Sequence, residues 1–565
     1  MVFFRTLYKQ KTLYIIFVCI LMFTNTVLLF TEHMGVFAKI AFILIPLGVQ
    51  MLLLALVKKP GKVFLFLLPK CILDAFQLVL IKLFGGSIIA VDMFLNLATT
   101  SAKESGELLS NIMPIIILLL VIYIPAIFLA VKSVRQKEFI DPIFRRRALK
   151  TAGILILAGV AAVFAAKCTG KGFKAKTDLY PYNVLYNLDF AIKKYNRILN
   201  YPKTSEGFTF GAKRDTAALA DNKGAREVYV LILGETARAV NWHSYGYERN
   251  TTPQTDTLSN LIRYRDVLTQ SNTTHKIVPM VLSPADARNF DIIYKSKSIT
   301  TAFKEAGFKT IFLTNQNYNK SFAYYHYNEA DVKVSLKEKS TGAFDHELLP
   351  FFDNAIEKDT TGNLFIIVHL YGSHFNYHER YEKQFRKFVP DRAERISPKY
   401  KAELYNSYDN SILSTDDLIA HIIRKVADAN IQGAVLYLSD HGEDMLDDKR
   451  ERFLHASPVP TFYQLQIPFL VWMSDAYIAR NPEKYRQAKI HSNYPVSNNT
   501  VFHSLLDFAS IHTPYLDSTL AVSSPELKIV PREYLNDHDG CTRIDQIHFT
   551  KYDYEQFRNR GIELH

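Results

Sequence analysis

The stretch VYVLILG, residues 228–234, decides the fold class of the second half of this chain. An uninterrupted apolar run of this length is typical of a strand that is buried on both faces of a sheet. Four more such runs follow, with room for helices between them: FKTIFLTN (308–315), LFIIVHL (364–370), AVLYLSD (434–440) and IPFLVWM (467–473). The pattern predicts an α/β/α sandwich around a mainly parallel sheet.

Upstream of this domain the sequence is much more apolar. Five stretches approach the roughly 20 residues that a helix needs to cross the hydrocarbon core. They cover residues 13–30, 36–57, 63–84, 112–131 and 149–166. We therefore predict an N-terminal bundle of five transmembrane helices. The third stretch is the least regular, because Lys70, Asp74 and Lys82 lie inside it and ionisable groups are costly at membrane depth.

The distribution of lysine and arginine predicts the orientation of these helices. Cations are concentrated before the first span, between the second and third, and between the fourth and fifth, at residues 5–11, 58–62 and 132–150. Such segments stay in the cytoplasm. Five spans then place the rest of the chain outside it, and we predict a transmembrane domain at 1–167, a bridging segment at 168–226 and an extracytoplasmic domain at 227–565.

The net charge of +12 does not indicate a nucleic-acid partner, because much of it lies in the predicted cytoplasmic loops. The four cysteines exclude a framework of several disulfides. Cys19 and Cys71 fall within predicted spans, so the outer part holds only Cys168 and Cys541.

Polar residues of an unusual kind follow the predicted strands. Glu235 comes directly after the first, His369 lies in the third, and Asp440 and His441 end the fourth. Ligands bind at the carboxyl ends of strands in such sheets, and Zn²⁺ takes about four N, O or S ligands. Converging carboxylates and imidazoles therefore favour a zinc site. Taken singly, each residue also fits a solvated loop or a turn with an Asp cap.

A candidate nucleophile lies in the segment SNTTHKIVP, residues 271–279. Good cap residues precede a predicted helix, which puts Thr274 near a helix N-terminus, where backbone N–H groups stabilise an alkoxide or a phosphate. A threonine hydroxyl needs metal coordination to ionise near neutral pH. The alternative is that Thr273 or Thr274 merely caps the helix.

Together these segments resemble the phosphoethanolamine transferases of the alkaline phosphatase and sulfatase superfamily, a group that includes enzymes modifying lipid A and conferring polymyxin resistance. The resemblance covers nearly the whole chain. It is carried by GETAR (234–238), GYERNTTP (246–253), Thr274 five residues before Pro279, GSH (372–374) and SDHGE (439–443). It implies an extracytoplasmic domain of alkaline phosphatase type.

The resemblance also implies roles for individual residues. Glu235, Thr274, Asp440 and His441 would hold the catalytic zinc, with Thr274 as the nucleophile that becomes phosphorylated. Asn96, Thr100 and Glu104 would form a triad that binds the ethanolamine head group. Lys320 would also contact the substrate, and His374 and His455 would contact either the phosphoryl group or a second zinc. A spacing of four would place the three triad residues on one helix face.

Two departures from the family pattern stand out. Members often carry several disulfides in the outer domain, which this chain cannot form, and the cysteine and glycine commonly found before the nucleophile are replaced by Ser271 and Asn272. The domain is therefore expected to be held by its core alone, and the acceptor is expected to differ from that of the best-known lipid A enzymes.

By resemblance we expect a monomeric protein of the bacterial inner membrane, with its catalytic domain in the periplasm. It would use zinc, one ion or two, to move phosphoethanolamine from phosphatidylethanolamine to lipid A, core sugar or a related glycan through a phosphothreonine. The alternatives are a phosphoglycerol transferase resembling the lipoteichoic acid synthases, another hydrolytic activity, or a non-catalytic lipid-binding relative. The triad argues against the first alternative, and the complete ligand set argues against the last.

Overall fold

The computed structural model describes residues 9–32, 34–84, 88–99, 102–169, 173–215, 225–316, 321–337, 343–358 and 362–564; side chains at 96–99, 102–112 and 114 are outside this description. The chain forms two compact units, Met1–Ile192 and Lys193–His565. The division falls inside the predicted bridging segment, of which residues 168–192 go with the first unit and 193–226 with the second.

The first unit is built of helices. In chain order they are α1 (Gln10–Thr31), α2 (Val36–Leu56), α3 (Pro60–Phe66), α4 (Leu68–Phe84), α5 (Val91–Thr99), α6 (Ala102–Arg135), α7 (Pro142–Cys168) and the start of α8 (Tyr182–Thr204). A single helical turn, Ala175–Asp178, precedes α8. Four helical stretches are long and apolar enough to cross a membrane: Gln10–Thr31, Val36–Leu56, Ile115–Arg135 and Pro142–Cys168.

The predicted third span is not one straight helix. It consists of α3 and α4, which meet at an angle of 57°, so the described part of the chain holds five spans if this pair crosses as one. The ionisable residues noted in the sequence are paired here. Lys70 Nζ lies 2.6 Å from Asp74 Oδ2 and donates to the carbonyl of Leu21, while the hydroxyl of Tyr180 donates to Asp74 Oδ1. Pairing lowers the cost of burying both charges.

The second unit is organised around a seven-stranded sheet. Its strands are β1 (Glu227–Gly234), β2 (Leu261–Tyr264), β3 (Lys309–Thr314), β4 (Val332–Ser335), β5 (Leu364–His369), β6 (Gln432–Ser439) and β7 (Phe469–Met473). The order across the sheet is β2-β7-β6-β1-β5-β3-β4. The neighbours from β6 to β4 run parallel, whereas β7 is antiparallel to both β6 and β2. The predicted mainly parallel sheet is confirmed.

Helices cover both faces of this sheet. They are α9 (Thr274–Val281), α10 (Ile299–Glu305), α11 (Phe322–Tyr327), α12 (Leu349–Lys358), α13 (Lys401–Asp428), α14 (Asp475–Arg480), α15 (Pro482–His491) and α16 (Thr500–Phe508). The last helix, α17 (Lys551–Asn559), packs through Phe557 against Phe462. A short hairpin, β8 (Glu533–Leu535) and β9 (Cys541–Arg543), lies between α16 and α17.

The central strands are buried on both faces, as their unbroken apolar runs require. In β1, Tyr229, Leu231 and Leu233 belong to one core cluster, and the alternate residues Val230 and Ile232 belong to the other. This alternation follows from the two-residue period of a strand. The unit is therefore an α/β/α sandwich, and the predicted fold class is confirmed.

The register of the sheet determines where the polar residues meet. Gly234, the last residue of β1, pairs with Ser439, the last residue of β6. Glu235 and Asp440 are the next residues on these two neighbouring parallel strands. They therefore leave the sheet side by side at its carboxyl edge.

Candidate metal and phosphotransfer site

Three buried side chains converge at this edge of the sheet. One ligand atom from each of Glu235, Asp440 and His441 lies within 4.8 Å of the others, the one such group found in the described part of the chain. Glu235 is 1% exposed and the other two are fully buried. The residues that the sequence predicted as metal ligands are thus brought together.

Thr274 completes the cluster from a different element. It is the first residue of α9, and Thr273 is the N-cap, so the predicted helix start is confirmed. Its Oγ1 lies 3.1 Å from Glu235 Oε1 and 3.1 Å from His441 Nε2. The hydroxyl is only partly buried. It therefore combines contact with the buried acceptors and access for a substrate.

Hydrogen bonds from the backbone hold Asp440, and hydrogen bonds from side chains hold Glu235. The N–H groups of Thr236 and His441 donate to Asp440 Oδ1 at 3.0 and 2.7 Å. Thr236 has a φ of 60°, a conformation that is uncommon for a threonine, and its hydroxyl donates to Glu235 Oε1. Gln316 Nε2 donates to Glu235 Oε2 at 3.1 Å. Both oxygens of Glu235 and one oxygen of Asp440 thus accept hydrogen bonds from the protein.

The arrangement of lone pairs matches what a cation requires. His441 Nδ1 lies 2.9 Å from the carbonyl oxygen of Gly442, which assigns its proton to Nδ1 and leaves a lone pair on Nε2. Nε2 lies 3.2 Å from Asp440 Oδ2, a buried atom that no donor in the described residues reaches. Two acceptors facing each other repel unless a positive charge lies between them. The residues present fit a metal ion.

The electrostatics agree with this reading. Burial, followed by the charge of Asp440, raises the pKa of Glu235 well above its usual range. Burial raises the pKa of Asp440 to about 6. Burial, followed by the charge of His455, lowers the pKa of His441 well below its usual value. All three shifts favour the neutral form of a buried group; a bound cation would lower the pKa of the two carboxyl groups and would keep His441 neutral.

The two further histidines lie at the same edge. The ring of His455 is centred 4.1 Å from that of His441 and 6.2 Å from that of His374. Burial lowers the pKa of His455 to about 4. His374 stacks on Tyr371 at 5.1 Å, and Arg380 donates to the carbonyl of His374. The structure therefore brings both histidines into the cluster predicted from the sequence.

The other predicted substrate contacts lie outside what the structure describes. Thr100 and Lys320 fall in the ranges that are left out, and Asn96 and Glu104 lie on α5 and α6 with side chains that are not described. Their roles stay predictions. Gln316 was given no role in the sequence reading, although it follows the end of β3 at the same sheet edge. Glu235 was selected from the sequence because it follows a strand, and the same criterion could have found Gln316.

Comparisons with known proteins agree with this geometry. Residues 227–511, just over half of the chain, match the family model "Sulfatase", and residues 48–188 match "Phosphoethanolamine transferase EptA/EptB". Phosphoethanolamine transferase EptC of Escherichia coli K12 is 29% identical over 330 residues, 56% of either chain. A Kdo(2)-lipid A phosphoethanolamine 7''-transferase of the same strain is 30% identical over 281 residues, 48% of this chain and 49% of that one. The aligned part thus spans about half the length of these relatives.

Two solved structures are similar. The periplasmic domain of E. coli EptC in complex with Zn covers 60% of this chain and 96% of that one, with 26% identity and a TM-score of 0.54. The membrane protein lipooligosaccharide phosphoethanolamine transferase A (EptA) of Neisseria meningitidis covers 92% of this chain and 97% of that one, with 20% identity and a TM-score of 0.67, which shows a shared fold. The chain therefore belongs to the sulfatase family, and its N-terminal part matches the phosphoethanolamine transferase EptA/EptB model.

Proposed function

We propose that this protein is a zinc-dependent transferase that moves phosphoethanolamine from phosphatidylethanolamine to a lipopolysaccharide, at lipid A or core, or to a related glycan. The observation that carries the proposal is the position of the Thr274 hydroxyl, partly exposed at the N-terminus of α9 and 3.1 Å from both Glu235 and His441. The match of residues 48–188 to the phosphoethanolamine transferase model supports the class of reaction, and the names of the relatives support the acceptor class.

Four residues would hold the metal: Glu235, Thr274, Asp440 and His441. The donor set is nitrogen and oxygen with one imidazole and two carboxylates, which suits Zn²⁺. The complex of the EptC domain with Zn supports the same metal here. When bound, zinc would supply a Lewis acid that neutralises negative charge on the phosphoryl oxygens. A second ion, if one binds, would use His374 and His455.

Thr274 acts as the nucleophile in this proposal. Glu235 Oε1 accepts the hydroxyl hydrogen and orients the oxygen. A bond forms between Oγ1 and the phosphorus of the donor as the bond from phosphorus to the glycerol oxygen breaks, and diacylglycerol leaves with the proton. The positive end of the α9 dipole stabilises the phosphoryl charge. The product of this half-reaction is a phosphothreonine that carries ethanolamine.

The acceptor then attacks the phosphothreonine and needs a base. His455 is suited to this step by its position, because its ring is centred 4.1 Å from that of His441, whose Nε2 lies 3.1 Å from the Thr274 hydroxyl. His374, 6.2 Å away between ring centres, is the second candidate. Thr274 is released and the glycan carries the phosphoethanolamine.

The membrane part of the proposal follows from the first unit. We infer a monomer in the bacterial inner membrane, with transmembrane residues 1–167, a bridging segment at 168–226 and the catalytic domain at 227–565 in the periplasm. Asn96, Thr100 and Glu104 would bind the ethanolamine head group, and Lys320 the phosphate. Such an enzyme meets its donor and its acceptor in one leaflet.

The test uses the full chain purified in detergent with fluorescent phosphatidylethanolamine, with and without chelator. Thr274→Val removes the hydroxyl without changing the size of the side chain, and Thr273→Val is the matched control, because the Thr273 hydroxyl makes no hydrogen bond in the described residues. We expect zinc-dependent release of labelled diacylglycerol that Thr274→Val abolishes and Thr273→Val preserves. Turnover of phosphatidylglycerol instead would establish a phosphoglycerol transferase, and no turnover of either lipid would reject the proposal.

A further inference from the structure

The loop before the nucleophile is held by a buried side chain at the position where the family commonly has a glycine. Asn272, 2% exposed, donates through Nδ2 to the carbonyl of Ser457 at 2.8 Å and to Gln464 Oε1 at 2.6 Å. Its carbonyl accepts from the N–H of Ala456 at 3.2 Å. Its Oδ1 accepts from the hydroxyl of Tyr534 at 2.8 Å. We call these five residues the Asn272 junction.

The Asn272 junction joins two parts of the site that are far apart in sequence. Asn272 is two residues before Thr274, and Ala456 directly follows His455. The backbone and side-chain bonds of Asn272 therefore attach the His455 loop to the loop that carries the nucleophile. Ala456 has a φ of 64°, which is uncommon for alanine, so this loop is held in a conformation that it would not adopt alone.

The fourth partner comes from the C-terminal hairpin, beyond the residues 227–511 that match the sulfatase family. Tyr534 lies in β8 and is 4% exposed. Next to it, the N–H of Leu535 donates to the carbonyl of Gln270 at 2.7 Å. The fully buried Lys276, in the first turn of α9, donates to the carbonyl of Asn536 at 2.8 Å. The hairpin thus contacts the chain on both sides of Thr274.

From these contacts we infer that Tyr534 and Asn272 are positioning residues for the transfer reaction: Tyr534 fixes the Asn272 amide, and the amide fixes the His455 loop relative to Thr274. Neither residue touches the reacting atoms. The orientation of the amide is decisive, because a flip of Asn272 would place its carbonyl oxygen against Ser457 and Gln464, which are both acceptors. In the working orientation the Tyr534 hydroxyl donates to Oδ1, which adds one hydrogen bond to the two that Nδ2 makes.

The effect on turnover rests on the proposed function, whereas the effect on the loop does not. The test therefore has two readouts. Tyr534→Phe removes one buried hydroxyl at the junction. The matched control is Tyr264→Phe, because Tyr264 is also fully buried and its hydroxyl donates to a backbone carbonyl, that of Ala488, at 2.8 Å. Both variants lose one buried hydrogen bond, and we expect similar losses in melting temperature.

The first readout is hydrogen exchange by mass spectrometry on the peptide 453–458. We expect Tyr534→Phe to increase exchange in this peptide about three-fold or more, with Tyr264→Phe matching the wild type. Equal exchange in both variants would overturn the positioning role. Asn272→Ala, which removes the whole side chain, should increase exchange further, and adding Tyr534→Phe to it should change nothing more.

The second readout is turnover of phosphatidylethanolamine. We expect Tyr534→Phe to lower kcat roughly ten-fold with KM for the donor unchanged, because a displaced base affects the chemical step and not donor binding. Tyr264→Phe should keep the wild-type kcat. If the wild-type protein shows no turnover, the proposed function is rejected. The hydrogen-exchange result alone then decides whether Tyr534 and Asn272 position the loop. A changed loop with an unchanged kcat would overturn the link between the two.

Discussion

The carboxyl groups of Glu235 and Asp440 lie side by side at the ends of β1 and β6, and no lysine or arginine of the described residues forms an ion pair with either. Two buried anions that share a site without a cation destabilise the folded state. The protein is built for a positive charge at this point, and its stability should depend on that charge.

We therefore expect Glu235→Gln to stabilise the metal-free protein at pH 7.5 by about 2 kcal/mol, because one buried charge is removed. Zinc at a hundred times its dissociation constant should add about 2.7 kcal/mol to the wild type and little to the variant. Trp242 and Trp472, the only two tryptophans, both lie in the second unit, so their fluorescence follows its unfolding. A variant less stable than wild type in chelator would contradict this expectation.

The same site gives the metal-free wild type a dependence on pH. The folded-state pKa of Asp440 is raised from 3.8 to about 6. A raised carboxyl pKa contributes stability below its unfolded value, and this contribution is lost as the pH rises through the folded value. We expect chelated protein to lose up to about 3 kcal/mol between pH 4 and 6 from this group. Asp440→Asn should flatten that part of the profile in denaturant titrations.

His503 produces the opposite dependence, well away from the metal site. Burial lowers its pKa to about 4, and its Nδ1 accepts from the N–H of Asp517 at 3.1 Å, which leaves no room for a second proton. A depressed pKa contributes stability above the unfolded value of 6.5 that is lost as the pH falls toward 4. The loss should be about 3 kcal/mol.

His503→Asn keeps an acceptor at the position of Nδ1 and cannot be protonated there. We expect its stability to match that of the wild type at pH 7.5 and to exceed it at pH 4.5. Tryptophan fluorescence in urea at the two pH values measures both. Parallel losses in variant and wild type would show that His503 is not the acid-sensitive group.

Gly442 has no space for a side chain. A Cβ at this position would lie 2.2 Å from the carbonyl oxygen of Tyr463 and 2.8 Å from Cβ of Arg238. Gly442→Ala should therefore cost roughly 3 kcal/mol, at the upper end for overpacking. Gly153→Ala is the control, because nothing lies within 4 Å of its Cβ. We expect a lower melting temperature of the second unit in the first variant alone.

In the membrane unit, the ion pair between Lys70 and Asp74 should tolerate joint removal better than single removal. Asp74→Leu leaves a mostly buried ammonium unpaired and should cost about 3–5 kcal/mol. Lys70→Met with Asp74→Leu removes both charges and should recover most of that loss. Thermal aggregation of detergent extracts, followed by size-exclusion chromatography of a fluorescent fusion, compares the two. A double variant less stable than the single one would mean that the charges themselves are required.

Much of this fold could be predicted, because the decisive signals are local. The unbroken apolar run of β1 indicated a strand buried on both faces, and the polar residue after it located the carboxyl edge. The direction of β7 was not predictable, since an apolar run has the same composition in parallel and antiparallel strands. The edge strands β2 and β4 have four residues each, too few for a periodic pattern.

Several residues of the candidate site could also be predicted from local sequence signals. Glu235, Asp440 and His441 were found because each follows a strand, and Thr274 because cap residues precede a helix. The contact between Tyr534 and Asn272 joins residues 262 apart in sequence, and neither belongs to a recognisable pattern. Only the folded chain brings them together. The tail from about residue 531 to the end had no interpretable signal at all.

That contact has a consequence for the synthesis of the protein. The surroundings of Thr274 are assembled from a segment near residue 272 and another near residue 534, so the ribosome must translate nearly the whole chain before the site can be completed. A nascent chain that already contains the nucleophile and all four predicted zinc ligands would still lack the hairpin that orients Asn272. Full activity would then be reached only after the last strands had been made.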